Sequence, residues 1–223
     1  MRGAFFLLIS LLLIFCSSMN ETGGSISYQI IDTEVYLQKA NPYFEITVEL
    51  NNSSNRSFIL YGFKRMTDAI LSDSLLCVER PGAGNSIFIT DSLGNIMPEE
   101  FTIEMHGDDY LQKPVTEDSL FSMFKKLRSE YIDGKEVLKS GQKKQVKLRV
   151  NIKSSPPMQQ LKPSEYLMYL IYYAGDDLTQ TTEDSPIKIS LVDEIAIKND
   201  EKKYKASVFS GWVRSNKVKL IVE

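Results

Sequence analysis

The chain has 223 residues, 43% of them apolar and 25% charged, which is enough apolar material for a sizeable core and too little charge for a disordered polymer. Lys plus Arg is 26 against 29 Asp plus Glu, and the resulting net charge of −3 lacks the basic footprint that a phosphate backbone selects, so no nucleic-acid partner is expected. A single histidine, His106, and two cysteines, Cys16 and Cys77, leave out most general bases, thiolate nucleophiles and transition-metal ligands; no cofactor and no metal site is expected, and an enzyme would have to run on carboxylates, hydroxyls and lysines.

Arg2 precedes an apolar run from Ala4 to Phe15 that only Ser10 interrupts. At about 12 residues it is too short for a bilayer core of roughly 30 Å and fits a secretory signal, so residues 1–18 are expected to be a signal peptide. Leu13-Ile14-Phe15-Cys16 resembles a bacterial lipoprotein box. That resemblance implies lipid attachment at Cys16, a membrane partner through the anchor and a place in the cell envelope. Ordinary cleavage after Cys16-Ser17-Ser18 would instead release a soluble secreted or periplasmic protein. Residues 19–25 are polar and read as a flexible tether. No later run is long and apolar enough for a membrane-spanning helix.

Phe44 to Leu50 alternates apolar with polar residues, Asn51 to Asn55 supplies turn residues, and Ser57 to Phe63 follows; the two runs read as a β-hairpin. Asn20, Asn51, Asn52 and Asn55 each open an Asn-x-Ser/Thr sequon, but the crowded three read as a turn, since Asn and Ser supply turn geometry directly. With Cys16 acylated or removed, Cys77 has no intramolecular partner, and among Leu75, Leu76 and Val78 it reads as a small buried hydrophobe. Pro81-Gly82-Ala83-Gly84-Asn85-Ser86 lacks the lysine of a phosphate loop and reads as a glycine-rich turn before a strand over 86–90. A further strand is expected over 101–105.

A long insertion, about 107–141, carries the one convincing helix, over residues 116–131. Thr116 can cap it, Glu117 and Asp118 favour its first turn, and Leu120, Phe124, Leu127 and Tyr131 share one face, expected to pack on a sheet. Asp133-Gly134 stops it. Strands over 146–152, 187–191 and 218–222 alternate with one wet face, whereas Tyr166 to Tyr173 is apolar on both faces and should be a central strand covered on both sides. Asp108/Asp109 and Asp176/Asp177 lack calcium-loop spacing and read as solvated turns. About ten strands with one helix and no βαβ rhythm predict an all-β protein, an antiparallel sandwich, with residues 26–223 as one decorated domain.

Leu161-Lys162-Pro163-Ser164-Glu165-Tyr166 resembles the tyrosine corner of immunoglobulin-like sandwiches, which implies that Tyr166 bonds back to the preceding corner. Gly211 to Leu220, with Ser215-Asn216 opening the final strand, resembles the closing hairpin of bacterial immunoglobulin-like domains. With the leader, the chain resembles a Bacteroides-type secreted or lipid-anchored protein with an immunoglobulin-like β-sandwich. The resemblance implies an architecture and carries no activity.

Eleven Tyr, eleven Phe and one Trp supply flat contact area for sugars or proteins. Tyr169, Tyr173, Tyr204 and Trp212 are the candidates for ligand contact. No catalytic residue is assigned, because His106 beside Gly107-Asp108-Asp109 has no Gly-x-Ser-x-Gly elbow to serve. The expected function is a non-enzymatic envelope or surface lipoprotein acting as a binding or adhesion module for a protein or glycan. The alternatives are an extracellular protease inhibitor using loop 81–85 or 176–186 and, third, a carboxylate-based hydrolase.

Overall fold

The computed structural model describes residues 26–41, 43–66, 83–94, 117–151, 156–175, 192 and 194–223. The expected leader with Cys16, the residues Cys77 and His106, the Asp108/Asp109 and Asp176/Asp177 pairs, the strands expected over 101–105 and 187–191, and the loop expected over 176–186 lie outside those residues. The described chain is mostly β. Its strands are β1 (Ile26–Ile30), β2 (Glu34–Leu37), β3 (Tyr43–Asn52), β4 (Phe58–Leu60), β5 (Ala83–Thr90), β6 (Glu136–Leu138), β7 (Lys143–Asn151), β8 (Ser164–Ala174), β9 (Ser207–Val208), β10 (Gly211–Arg214) and β11 (Val218–Val222). Its helices are α1 (Glu117–Asp133), α2 (Pro156–Gln160) and α3 (Glu194–Tyr204).

Strict alternation builds the first sheet, in the order β1-β3-β7. Phe44, Ile46, Val48 and Leu50 of β3 point inward, and the antiparallel register sets Phe44 opposite Val150, Ile46 opposite Leu148 and Val48 opposite Val146. Ile26, Tyr28 and Ile30 of β1 complete the apolar face. The other face is wet: Lys147 meets Glu45 at 3.5 Å, Lys143 meets Glu49 at 3.4 Å, and the Arg149 guanidinium lies 4.0 Å from the Tyr43 ring centroid. Such exposed pairs contribute at most about 1 kcal/mol each, so this sheet is held by its buried side.

The second sheet is organised around β8. One edge of β8 pairs with β5 along residues 167–174; the other pairs with β10 and then β11, and β2 lies beyond β11. Tyr166, Met168, Leu170, Tyr172 and Ala174 join the first sheet's apolar residues in one core. The alternate residues Tyr169 and Ile171 form a second cluster with Phe88 and Trp212 on the opposite face. Apolar side chains on both faces follow from this central position.

Between β10 and β11 two side chains replace backbone groups. Ser215 Oγ accepts the Leu170 N–H at 2.8 Å while its own N–H donates to Leu170 O at 2.9 Å. The Asn216 amide acts as one more strand residue, accepting from Ile30 N–H at 2.7 Å and donating to Ile30 O at 3.1 Å, which ties the edge of the first sheet to the second. At the start of β8 the Tyr166 hydroxyl donates to Lys162 O at 3.0 Å.

A small third sheet, β6-β4-β9, corrects two expectations. The 44–50 and 57–63 runs do not form a hairpin: β3 already has β1 and β7 on its edges, and β4 pairs with β6 and β9. The loop between them folds around the fully buried Asn52, whose Nδ2 donates to Arg56 O at 2.6 Å and Lys139 O at 3.0 Å while Oδ1 accepts from Ser54 N–H and Oγ. Those bonds turn the chain toward the third sheet and withdraw the Asn52 sequon from solvent. Nor is the pairing antiparallel throughout, since β2–β11 and β4–β9 are parallel. Alternation encodes which face a residue occupies and says nothing of a neighbour's direction.

Helix α1 runs two residues past its expected end and stops at Gly134, whose N–H donates to Glu130 O at 2.9 Å; a Cβ there would lie 2.4 Å from that oxygen, so glycine is required. Its last turn docks through Tyr131, which is buried in the main core and whose hydroxyl accepts the Ala83 N–H at 3.3 Å. The Phe124 and Leu127 side chains lie outside the described residues. Within the expected insertion, β6 is a strand of the third sheet.

Candidate recognition surface

The second cluster on β8 rests on register. Phe88 of β5 stands opposite Tyr169, and the two rings stack with centroids 5.0 Å apart and planes 7° from parallel. Tyr173, four residues along the same face, stands opposite Gly84 on one side and Trp212 on the other. Gly175 makes room for the Tyr173 ring, since a Cβ at that position would sit 2.9 Å from the phenol oxygen. Two residues beyond Trp212, and therefore on its face, Arg214 brings its guanidinium 3.9 Å from the Tyr169 ring centroid, and Lys217 Nζ lies 5.9 Å from the same ring.

The result is a layered platform. Phe88, Tyr169 and Ile171 are its buried floor; Trp212 and Tyr173 are half-buried, and Arg214 and Lys217 are exposed. Among the described residues neither Arg214 nor Lys217 forms an ion pair, so their donors are not consumed by carboxylates. Flat rings beside a five-donor guanidinium can stack on the apolar face of a sugar and hydrogen-bond its substituents.

Tyr169, Tyr173 and Trp212 thus come together, with Tyr169 as floor and no exposed surface of its own. Tyr204 does not join them. It closes α3, 5.7 Å from Lys135 Nζ, in a polar knot where Lys135 pairs with Asp200 and the Tyr61 hydroxyl donates to Asp200 at 2.7 Å. Burial alone would raise the Asp200 carboxyl, but hydrogen bonds from Lys135 and Tyr61 and the charges of Lys135 and Lys203 hold it below its ordinary range. Tyr166 lies on the main-core face and serves the corner hydrogen bond. Phe88, Arg214 and Lys217 escaped the sequence reading; for Arg214 the signal was its spacing of two from Trp212.

The loop expected over 81–85 is strand from residue 83 onward: Ala83, Gly84 and Asn85 are buried and pair with 172–174, where β5 begins its pairing with the end of β8. Among the described residues no group of three or more His, Cys, Asp or Glu is placed to hold a metal ion. Among the described residues Glu136 is the one buried glutamate, and it is held by Lys64 at 3.0 Å and by Lys144.

Burial pushes the Tyr28 and Tyr172 hydroxyls well above the ordinary phenol range, and burial with the Asp200 hydrogen bond pushes Tyr61 up as well. A raised folded-state value means stability that is fully present below the unfolded phenol value of about 10 and is lost as pH rises through the folded values. The urea midpoint should therefore hold up to about pH 9 and fall above about pH 10, with phenolate absorbance from these three rings appearing only as the protein unfolds. Free ionisation of all eleven tyrosines in folded protein would contradict the burial described.

No protein-family model matches the chain, and a search of curated proteins gives no significant match. No described helix is long and apolar enough to cross a membrane.

Proposed function

We propose that this chain is a non-enzymatic recognition module of the cell envelope: an immunoglobulin-like β-sandwich, exported by its leader, tethered to a membrane by lipid at Cys16, and binding a glycan through the platform of Tyr173, Trp212 and Arg214. Strand order supports the architecture. β1, β3 and β7 share one sheet while β5, β8 and β11 share the other, the two-sheet division of an immunoglobulin fold in which first, second and fifth strands oppose third, sixth and seventh. Tyr166 supports it too, since it opens the strand equivalent to the sixth and bonds to backbone four residues upstream. On this reading the third sheet and α1 are decorations at one end.

The observation that carries the function is the register pair Tyr173–Trp212 beside an exposed Arg214 that has no carboxylate partner among the described residues. Aromatic and arginine side chains in such a setting typically dominate binding energy. Of the two loops of the protease-inhibitor alternative, residues 83–85 of the first are committed to β5, and the second, 176–186, lies outside the described residues.

The test is a panel of immobilised neutral and acidic oligosaccharides probed with the wild-type chain, Trp212→Ala and Arg214→Ala. The expected result is binding that weakens about 30-fold in Trp212→Ala, the effect of removing a residue worth roughly 2 kcal/mol. No binding to any member of the panel, or binding that survives both substitutions, would overturn the proposal.

A further inference from the structure

One end of the fold is basic. Segments 51–57, 139–143 and 202–207 contain Arg56, Lys139, Lys143, Lys202, Lys203 and Lys205 and no Asp or Glu, in a chain whose net charge is −3. The fold gathers these segments. Ser140 N–H donates to Ser57 Oγ at 3.2 Å and Ser140 Oγ donates to Ser54 O at 2.8 Å, which sets the 139–143 turn against the 53–57 loop. Ser207 N–H donates to Ser57 O at 3.0 Å, which brings the end of α3 to the other side of that loop. Lys143 is engaged with Glu49 at 3.4 Å and Lys203 with the Tyr204 ring. Arg56, Lys139, Lys202 and Lys205 are exposed and form no ion pair among the described residues.

Lys205 adds a detail. It caps α3 in the left-handed conformation, φ 50°, with the Ala206 N–H bonded back to Glu201 O at 3.2 Å. Glycine fills that position at least cost, so a lysine there holds a cation against a local conformational penalty.

The chain enters the fold at this same end. Ile26 stands opposite Asn52, and Asn52 N–H donates to Gln142 O at 2.9 Å, so the first residue of β1 lies beside the basic turns. We infer that this end is a membrane-contact surface, in which Arg56, Lys139 and Lys205 meet anionic lipid headgroups while the segment before Ile26 leads to the bilayer. The geometry rests on the anchored reading above; the charge does not. A polybasic patch beside an acylated terminus supplies a second attachment signal and fixes which end of the domain faces the membrane.

The experiment uses residues 19–223, the form that cleavage after Ser18 would release, which carries neither the apolar run nor an acyl group, in sedimentation with phosphatidylcholine vesicles and with vesicles containing phosphatidylglycerol. The expected result is preference for the anionic vesicles, lost at high salt and reduced about fivefold for each cation removed in Arg56→Gln, Lys139→Gln and Lys205→Gly. Lys205→Gly also relieves the left-handed strain, so it should raise the urea midpoint while lowering vesicle binding, which separates surface charge from folding. Equal binding to both vesicle types, unchanged binding in the three variants, or binding to soluble polygalacturonate in preference to anionic vesicles would overturn the inference. Mass spectrometry of the mature amino terminus reads acylation separately, so loss of the anchor and loss of the basic contact are distinct results.

Discussion

Replacing Asn85 with alanine is expected to destabilise the fold by about 2–4 kcal/mol, through two buried groups left without partners. Asn85 is fully buried in β5. Its Oδ1 accepts the Tyr28 hydroxyl at 2.7 Å from β1, its Nδ2 donates to Phe63 O, and its backbone N–H donates to Arg65 O at 2.8 Å. One side chain therefore joins the first sheet, the second sheet and the turn after β4. Alanine removes the side-chain bonds and strands a phenol and a carbonyl in a dry core. Tyr28→Phe removes one of those partners and should cost less, about 1 kcal/mol. The double variant should cost less than the sum of the two, by about 1 kcal/mol, because Tyr28 is no longer orphaned. Urea unfolding of the four proteins reads this directly, and strict additivity would contradict the shared bond.

A larger loss, about 3–5 kcal/mol, is expected for Tyr172→Ala. Tyr172 is fully buried on the main-core face of β8, its ring centroid 5.2 Å from that of Phe63 and 5.9 Å from that of Phe209, and its hydroxyl donates to Tyr61 O at 2.8 Å. It is the contact through which the central strand holds the chain around β4 and β9. Truncation opens a cavity among those aromatics and orphans the Tyr61 carbonyl, against a total stability of typically 5–15 kcal/mol. Tyr172→Phe keeps the ring and should cost only about 1 kcal/mol. A Tyr172→Ala protein as stable as Tyr172→Phe would show that the ring packing carries little of the fold.

How far the sequence could be read depended on which quantity a pattern encodes. Alternation marked the buried faces of β3, β7 and β11, and the two-sided apolar run of β8 marked the centre of a sheet. It was silent on partners: nothing in Phe44 to Phe63 tells that β3 is already flanked and that Asn52 will turn inward, because that depends on carbonyls at 138 and 139. The shortest elements outside the expected strands escaped for want of a period, β9 having two residues and β6 three, whereas β4 was legible within the 57–63 run and only its partners were not. Helix α3 has no fully buried residue; Ala196, Ile197 and Tyr204 rest partly buried on the core, a stripe too thin to mark a helix in the sequence. At the candidate surface, Trp212 was legible as the sole tryptophan and Tyr173 as part of an aromatic strand. Their adjacency, and the stacking of Phe88 on Tyr169, are consequences of register between segments more than eighty residues apart for β5 and β8 and about forty for β8 and β10, which local sequence does not contain.

The sole tryptophan makes glycan contact at the platform directly measurable. Emission and acrylamide quenching of Trp212 can be followed while the wild-type chain is titrated with whichever oligosaccharide of the panel it retains. A bound glycan is expected to shift the emission and shield the indole from quencher, with the midpoint of the change equal to the affinity measured by retention. A glycan that binds with the same affinity and leaves both the emission and the quenching of Trp212 unchanged would place recognition elsewhere on the protein and contradict the account.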